Sequence, residues 1–207
     1  MSSDKPAHQR PELPDFWDHR FRNGAIPWDA GQAPQALRDF ADDYRGQAGG
    51  TDRPRVLVPG CGSAWDAAWL DAQEWDVTAL DFSAAAVDAA RLTLGQHWHG
   101  QLLCEDFFTF TPDAPFDVIY ERAFLCALPR MLWPAYAPRM AQLMPPGGLL
   151  AGCFFLADRP KGPPFGILPQ QLDDLLTPYF TRRADRPVED SLPVFAGQER
   201  WQVWQRR

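Results

Sequence analysis

The stretch Arg55-Val-Leu-Val-Pro-Gly-Cys-Gly-Ser-Ala-Trp-Asp66 predicts a buried strand, a Gly-x-Gly turn and the start of a helix. In a doubly wound α/β sheet, ligands bind beyond the carboxyl ends of the strands, and the first such turn is the usual place. Glycine allows the backbone to approach a ligand closely and to adopt positive φ. The stretch therefore predicts both a fold class and the position of a ligand site.

The same turn argues against a dinucleotide site. A nicotinamide-binding turn has the pattern Gly-x-Gly-x-x-Gly, in which the third glycine lets the helix press against the strand. Trp65 stands at that third position. A nicotinamide oxidoreductase is thus disfavoured, whereas S-adenosylmethionine has no pyrophosphate and does not require that contact.

Strands and helices alternate along the rest of the chain. Continuous apolar strands of this kind indicate a parallel sheet covered on both faces, an α/β doubly wound fold. The C-terminal segments 180–185 and 200–205 predict an antiparallel hairpin at one edge. The predicted strands are 55–58, 76–80, 101–104, 116–120 and 149–156, and the predicted helices are 35–44, 64–73, 83–94, 132–143 and 169–179.

Composition and charge narrow the function classes. The chain has 207 residues, of which 45% are apolar and 23% charged, as expected for one globular domain. Its net charge of −7 disfavours a nucleic-acid partner. The four cysteines show no CxxC spacing and have no histidine within four residues, so we expect free thiols and no metal site.

The N-terminal segment has no apolar stretch typical of a secretion signal. Residues 1–14 are polar and proline-broken, and we expect a disordered tail followed by a single domain over residues 15–207. The longest apolar run, residues 149–157, is too short to span a bilayer. We therefore expect a cytoplasmic protein with no membrane partner.

Acidic residues follow the second and third predicted strands. Asp81 lies 21 residues after Gly60, where a carboxylate can accept both hydroxyls of a ribose. Asp106 and Phe107 follow the third strand and can hold an adenine through the carboxylate, a backbone N–H and a ring face. Alternatively, Asp81 stabilises the start of the next helix, and Asp106 is a turn acid beside a core phenylalanine.

The fourth predicted strand is followed by Glu121 and Arg122. Methyltransferases that act on the amino groups of bases usually carry an (Asp/Asn)-Pro-Pro-aromatic motif here, and it is absent. Arg122 is either a site residue or a structural ion-pair partner of Glu121 or another acid.

Together these motifs resemble the thiopurine S-methyltransferase superfamily, and most closely its bacterial and plant halide/thiol methyltransferase branch. The resemblance covers nearly the whole chain after residue 14. It is carried by Phe16-Trp17, Phe21, residues 24–29, residues 58–62, residues 80–83, residues 105–108, residues 120–128, residues 161–166 and residues 194–201.

The resemblance implies a seven-stranded class I methyltransferase sheet that binds S-adenosylmethionine and releases S-adenosylhomocysteine. It implies that residues 15–50 form an N-terminal cover over the donor, with Trp17, Phe21 and Trp28 as its aromatic side chains; Phe21 departs from the tryptophan of some relatives. It assigns donor contacts to these three residues and to Gly60, Gly62, Asp81, Phe82, Asp106, Phe107 and Arg122.

The expected reaction is methyl transfer to a small nucleophile, a halide such as iodide or a thiol such as bisulfide. Arg122 and Trp28 are the expected catalytic residues: the first favours an anionic acceptor, and the second attracts the sulfonium by its ring face. Simple core packing is the alternative for Trp28. Other hypotheses are a thiopurine, aromatic-thiol or metalloid methyltransferase and a non-catalytic S-adenosylmethionine-binding regulator. A monomer is expected.

Overall fold

The computed structural model describes residues 5–45, 53–195 and 197–207. The strands in these residues form one sheet and are numbered in chain order. They are β1 (Arg55–Pro59), β2 (Asp76–Asp81), β3 (Gln101–Cys104), β4 (Val118–Arg122), β5 (Leu149–Phe155), β6 (Phe180–Pro187) and β7 (Glu199–Arg206).

The seven strands lie in the order β3-β2-β1-β4-β5-β7-β6. The first five are parallel to their neighbours, and β7 runs antiparallel between β5 and β6. The expected doubly wound, mostly parallel sheet with an antiparallel C-terminal edge is confirmed.

Helices cover both faces of the sheet. One face packs against α2, α3 and α4, and the other against α5 and α6. The helices are α1 (Pro14–Arg22), α2 (Gln35–Arg45), α3 (Trp65–Ala72), α4 (Ala84–Leu94), α5 (Trp133–Gln142) and α6 (Pro169–Leu176). None of the helices in the described residues is long and apolar enough to cross a membrane.

Several predicted boundaries were wrong, and those of β4 and α6 were among them. Strand β4 begins and ends two residues later than predicted, because the N–H of Phe116 bonds to the carbonyl of Leu143 instead of joining the sheet, while Arg122 still pairs with Cys153 on β5. Helix α6 ends at Leu176, three residues early.

The expected N-terminal tail is ordered where the structure describes it. Residues 7–9 form a 3-10 helix, and the indole N–H of Trp17 donates to the carbonyl of Pro11 at 2.9 Å. Pro14 is the first residue of α1. The predicted disorder is therefore wrong for residues 5–14. Residues 1–4, and residues 46–50 of the N-terminal cover, lie outside the described residues.

Trp201 on β7 packs against side chains of α2 and β4. Its side chain is 2% exposed, and its ring lies 5.7 Å from that of Phe40 on α2 and 6.3 Å from that of Tyr120 on β4. The antiparallel edge is thus fixed to the parallel part of the sheet by aromatic packing.

We expect Trp201→Ala to lower the free energy of unfolding by about 3–5 kcal/mol, because it leaves a large cavity between β7 and α2. Chemical denaturation monitored by circular dichroism measures this. Tyr179→Ala is the control, since Tyr179 is 39% exposed, and it should cost less than about 1 kcal/mol. Equal losses in the two variants would contradict the assigned packing.

Candidate functional site

The carboxyl ends of four parallel strands meet at one edge of the sheet. Beyond the paired strands, the N–H of Cys61 donates to the carbonyl of Leu80 at 3.0 Å, and that of Glu105 to the carbonyl of Asp81 at 3.1 Å. These bonds align the loops that leave β1, β2 and β3. A cavity opens above them.

The structure brings all the predicted donor-binding residues to this cavity, although their individual roles stay predictions. Its walls include Trp17, Phe21, Trp28, Gly60, Gly62, Asp81, Phe82, Asp106, Phe107 and Arg122. The loop after β3, the acid of β2, the turn after β1 and the end of β4 contribute to the cavity in the order in which the strands lie in the sheet.

The absence of a side chain at Gly60 makes room for the ring of Phe124. Gly60 and Gly62 have φ values of +59° and +53°, which favour glycine. A Cβ atom at Gly60 would lie 2.5 Å from Cδ2 of Phe124, so a larger residue there must displace that ring. Phe124 itself lines the cavity and was not anticipated, because no local motif distinguishes it from a core phenylalanine.

Asp81 holds two loops together. Its Oδ2 accepts the N–H of Gly62 at 3.1 Å, and its Oδ1 accepts that of Ser83 at 2.9 Å. Each carboxylate oxygen retains a second lone pair, so these bonds leave room for two further donors. Burial raises the pKa of Asp81 to about 6, although the N–H groups of Ser83 and Gly62 oppose this shift.

The bond from the N–H of Ser83 also places Asp81 at the start of α4, as the alternative for this residue requires. The hydroxyl of Ser83 accepts the N–H of Ala86 at 3.1 Å, so Ser83 is the N-cap of α4, as predicted.

Asp106 and Phe107 share the loop after β3. Oδ1 of Asp106 accepts the N–H of Phe108 at 2.8 Å, and the carboxylate is exposed at the cavity wall. The ring of Phe107 is 3% exposed and meets that of Phe124 edge-on at 5.1 Å. Phe107 is therefore a core residue as well as a wall of the cavity.

Arg122 pairs with an acid that the sequence analysis did not single out. Its Nη1 lies 3.5 Å from Oδ1 of Asp66, in the first turn of α3, and donates to the carbonyl of Gln32 at 3.3 Å. An ion pair with Glu121 or another acid was the alternative for Arg122, and Asp66 is such an acid. Glu121 is the preceding residue of β4, so its side chain points to the opposite face of the sheet.

Glu121 shapes the segment that follows β4. It is 1% exposed, and its Oε1 accepts the N–H groups of Phe124 and Leu125 at 3.0 and 3.2 Å. Burial raises the pKa of Glu121 to about 8, and the nearby Glu199 adds to the increase. Its carboxyl holds the turn that places Phe124 against Gly60.

Three aromatic side chains of the N-terminal cover lie over the strand ends. The ring of Trp28 meets that of Trp17 at 5.6 Å and that of Phe21 at 6.4 Å, both nearly perpendicular. The guanidinium of Arg20 lies 5.6 Å from the ring of Trp28.

Two acids bind the cover to the sheet domain. Asp18 on α1 accepts the hydroxyl of Ser83 at 2.6 Å and the N–H of Ala85 at 3.0 Å, at the start of α4. Asp29 accepts the hydroxyl of Ser63, in the glycine turn, at 2.5 Å. Neither acid was predicted, since partners tens of residues apart leave no local pattern.

One end of the cavity is apolar. Trp28 packs there with Cys126 and Phe195, and the N–H of Phe165 donates to the carbonyl of Cys126 at 2.7 Å. This bond draws in the Gly-Pro-Pro-Phe165 loop. Ala123 and Val194, which also line the cavity, pack against the same cluster; other apolar side chains that line the cavity are Phe124, Leu128, Pro163 and Pro164.

The described residues that line the cavity include no histidine and no lysine. Within the described residues, no group of three or more histidine, cysteine, aspartate or glutamate side chains could hold a metal ion. The four cysteines are unpaired.

Comparison with known proteins identifies the family. The family model for thiopurine S-methyltransferase matches residues 13–207. The chain belongs to the thiopurine S-methyltransferase family. It is an S-adenosylmethionine-dependent methyltransferase.

Relatives in this family carry two kinds of name. "Probable thiol methyltransferase 2" of Arabidopsis thaliana is 32% identical over 166 residues, covering 78% of this chain and 71% of the relative. "Thiopurine S-methyltransferase" of Methylococcus capsulatus is 31% identical over 186 residues, covering 81% and 82%.

Solved structures agree with the family's fold. A magnesium protoporphyrin IX methyltransferase from Synechocystis PCC 6803 with bound S-adenosylmethionine superposes with a TM-score of 0.75 at 14% identity, covering 100% of both chains. The 1,6-didemethyltoxoflavin-N1-methyltransferase of Burkholderia thailandensis with bound S-adenosylhomocysteine gives 0.73 at 17% identity, covering 100% of this chain and 92% of that one.

We expect Asp18→Asn to loosen α1 in this family member. Losing the charge that accepts from Ser83 and Ala85 should lower the local opening free energy by about 1–2 kcal/mol, so that amides of α1 exchange roughly 5–30-fold faster. Hydrogen exchange with mass spectrometry measures this. Asp15→Asn, on the exposed side of the same helix, is the control. Unchanged exchange in Asp18→Asn would show that Asp18 does not hold the cover.

Proposed function

We propose that the protein transfers the methyl group of S-adenosylmethionine to a small anionic nucleophile, a halide such as iodide or a thiolate such as bisulfide. The observation that carries the proposal is the division of the cavity. Carboxylates and the glycine turn line its donor end, while the other end is apolar and formed by Trp28, Phe124 and their neighbours.

The strand order supports the arrangement of the donor. Along the edge, the loop after β3 with Asp106 comes first, then Asp81 of β2, the Gly60–Gly62 turn of β1, and Arg122 of β4. We assign the adenine to Asp106, the ribose to Asp81, and the amino acid end to the Gly60–Gly62 turn and Arg122. The apolar end follows beyond β4, where the acceptor approaches.

The residues present fit such a donor. Both oxygens of Asp81 have lone pairs for ribose hydroxyls, and Asp106 has a second oxygen for an amino group. Gly60 and Gly62 bring the backbone to the cavity. We propose that the described part of the N-terminal cover, residues 15–45, lies over the donor through Trp17, Phe21 and Trp28.

The transfer step needs no proton acceptor. As the acceptor's lone pair bonds to the methyl carbon, the carbon–sulfonium bond breaks and its electron pair stays on sulfur, giving S-adenosylhomocysteine and methyl iodide or methanethiol. A cavity lined by described residues without histidine suits acceptors that arrive as anions.

The walls of the cavity contribute by orienting the donor and the acceptor and by excluding water. Apolar side chains at the acceptor end replace the hydration shell of the incoming anion, and opposite charges approach and disperse there. The ring of Trp28 attracts the sulfonium by about 0.5–2 kcal/mol. The guanidinium of Arg20 already lies near the same ring. Placing donor and acceptor in line removes an entropic barrier.

Relatives named thiopurine S-methyltransferase support a second candidate, transfer to an aromatic thiol. The ring of Phe124 seated on Gly60 narrows the cavity and favours the smaller acceptor. The relative rates of methyl transfer to the small anions and to an aromatic thiol decide between the two candidates.

We expect purified protein with S-adenosylmethionine to release methyl iodide from iodide, or methanethiol from bisulfide, into the headspace. Gas chromatography measures both products, and parallel assays with an aromatic thiol give the competing rate. A higher kcat/KM for the aromatic thiol would favour the second candidate. If neither small anion is methylated although S-adenosylhomocysteine binds, this acceptor class is wrong.

We expect binding of methylthioadenosine, the donor's nucleoside without its amino acid end, to depend on Asp81. The charged carboxylate accepts both ribose hydroxyls more strongly than the protonated carboxyl group does, so affinity should be constant above about pH 7 and fall below its pKa of about 6. Asp81→Asn should bind roughly 10–100-fold more weakly at neutral pH and lose this pH dependence. Calorimetry measures both.

Asp88→Asn is the matched control for that series, because Asp88 lies on the exposed side of α4 and pairs with Arg91. It should keep both the affinity and the pH dependence. A wild-type affinity that does not change down to about pH 5 would remove Asp81 from the ribose site.

A further inference from the structure

The carboxyl group of Glu121 lies behind the wall of the cavity. Its side chain is buried, and its Oε1 accepts the N–H groups of Phe124 and Leu125 at 3.0 and 3.2 Å. Phe124 lines the cavity, whereas Glu121 is not among the described residues that do so. Glu121 therefore acts on the cavity through the segment that follows β4.

In the described part of the chain, the titratable groups that interact with Glu121 include no cation. Its Oε2 and the hydroxyl of Tyr136 are both buried and have no hydrogen-bond partner there. Arg122, the next residue of β4, is on the opposite face and pairs with Asp66. The groups that interact with Glu121 are all acids: Glu199 on β7, Tyr136 on α5, Cys126 in the segment after β4, Cys153 on β5 and Tyr120 on β4 itself.

An uncharged carboxyl group suits this place better than a carboxylate. Burial raises the pKa of Glu121 to about 8, and the nearby Glu199 adds to the increase, although the N–H groups of Leu125 and Phe124 oppose it. The group therefore carries its proton at neutral pH. Its carbonyl oxygen still accepts both N–H groups in that state.

The segment that Glu121 holds begins with an unfavourable backbone conformation. Ala123 has a φ of +59°, which residues other than glycine rarely adopt, and such a residue persists only where its surroundings hold it. The ring of Phe124 follows. Its Cδ2 would lie 2.5 Å from a Cβ atom at Gly60, and it meets the ring of Phe107 edge-on at 5.1 Å. The two bonds to Glu121 thus help to fix the ring that narrows the cavity.

We propose that Glu121 is a positioning residue of the acceptor end. As an uncharged acid it holds the turn that seats Phe124 on Gly60, and the seated ring makes the enzyme prefer a small anion to an aromatic acceptor. This inference rests on the proposed function, in which the acceptor approaches beyond β4. Glu121 contacts neither the donor nor the acceptor and acts through Phe124.

The first test compares two acceptors, bisulfide and thiophenol, with the full-length protein and S-adenosylmethionine. Glu121→Ala removes the acceptor of both N–H groups, so the ratio of kcat/KM for bisulfide to that for thiophenol should fall roughly tenfold or more. Glu121→Gln keeps a side-chain oxygen and carries no charge, so its ratio should stay within about twofold of the wild type.

A double variant shows whether Glu121 acts through the ring. Phe124→Ala should lower the same ratio at least as much as Glu121→Ala does, and adding Glu121→Ala to it should change the ratio by less than about twofold. Where Glu121→Ala does not fold, Glu121→Asp takes its place. Its shorter side chain should lower the ratio less, in the same direction.

Val77→Ala is the control for a loss of stability alone. Val77 is buried against the other face of the sheet from Phe124, so the cavity that this variant creates destabilises the fold without touching the segment after β4. Its ratio of kcat/KM values should equal that of the wild type.

Hydrogen exchange tests the uncharged state without any acceptor. Opening of the segment exposes Glu121 to water and returns its pKa from about 8 toward the ordinary glutamate value of 4.5. Between about pH 5 and pH 8 the open form lacks a proton that the closed form keeps. Opening should therefore become about tenfold more favourable per pH unit in this range and level off above it.

The amides of Phe124 and Leu125 report this opening by NMR. Their exchange rates, divided by those in Glu121→Gln at the same pH, should follow the tenfold slope, because the intrinsic exchange rates cancel in the ratio.

Either experiment can overturn the proposal. An unchanged ratio in Glu121→Ala, a shift that Val77→Ala shares, or a double variant in which the two shifts multiply would show that Glu121 does not select the acceptor through Phe124. Relative exchange that does not vary with pH would show that Glu121 is not held uncharged. If the wild type methylates neither acceptor, the proposed function fails and the acceptor preference with it, while the exchange slope still decides whether an uncharged Glu121 holds the segment.

Discussion

The carboxylate of Asp81 is the interaction on which the site depends. It stands at the end of β2 and accepts one N–H from the glycine turn after β1 and one from the turn that starts α4. Together with the bond from the N–H of Cys61 to the carbonyl of Leu80, these bonds fix the separation of two loops from neighbouring strands. A buried carboxylate is costly, and donors that belong to the backbone offset that cost at positions which side-chain motion cannot change.

Other acids repeat this arrangement around the cavity. Asp18 binds the start of α4, Asp29 binds the glycine turn, and Glu121 holds the segment after β4. Each joins elements distant in sequence or fixes a short turn. The proposed donor end therefore depends on acids that are held by the fold, whereas the proposed acceptor end depends on apolar side chains that include Trp28, Phe124 and Phe195.

The sheet was predictable because its information is local. The apolar run of β1, the glycine turn and the Ser83 N-cap follow from neighbouring residues, and the structure agrees with each. Strand β4 was misplaced because its start depends on the carbonyl of Leu143, which pairs with Phe116 across 27 residues. The ordered path of residues 5–14 depends on the indole of Trp17, which no pattern within that segment reveals.

The predicted site residues came from motif positions at the strand ends, and parallel pairing carries those positions to one edge. Asp18, Asp66 and Phe124 were missed since each has an ordinary local role, as a helix acid or a core ring, and gains its site role through a partner on another element. Contacts between charged groups on different elements are thus the part of the site that could not be predicted from one sequence.

A crystal structure of the complex with S-adenosylhomocysteine tests the account most directly. We predict that both ribose hydroxyls lie on the oxygens of Asp81, with the adenine beside Asp106 and the sulfur facing the apolar end near Trp28. A ligand whose ribose contacts neither oxygen of Asp81, or whose sulfur faces away from that end, would contradict it.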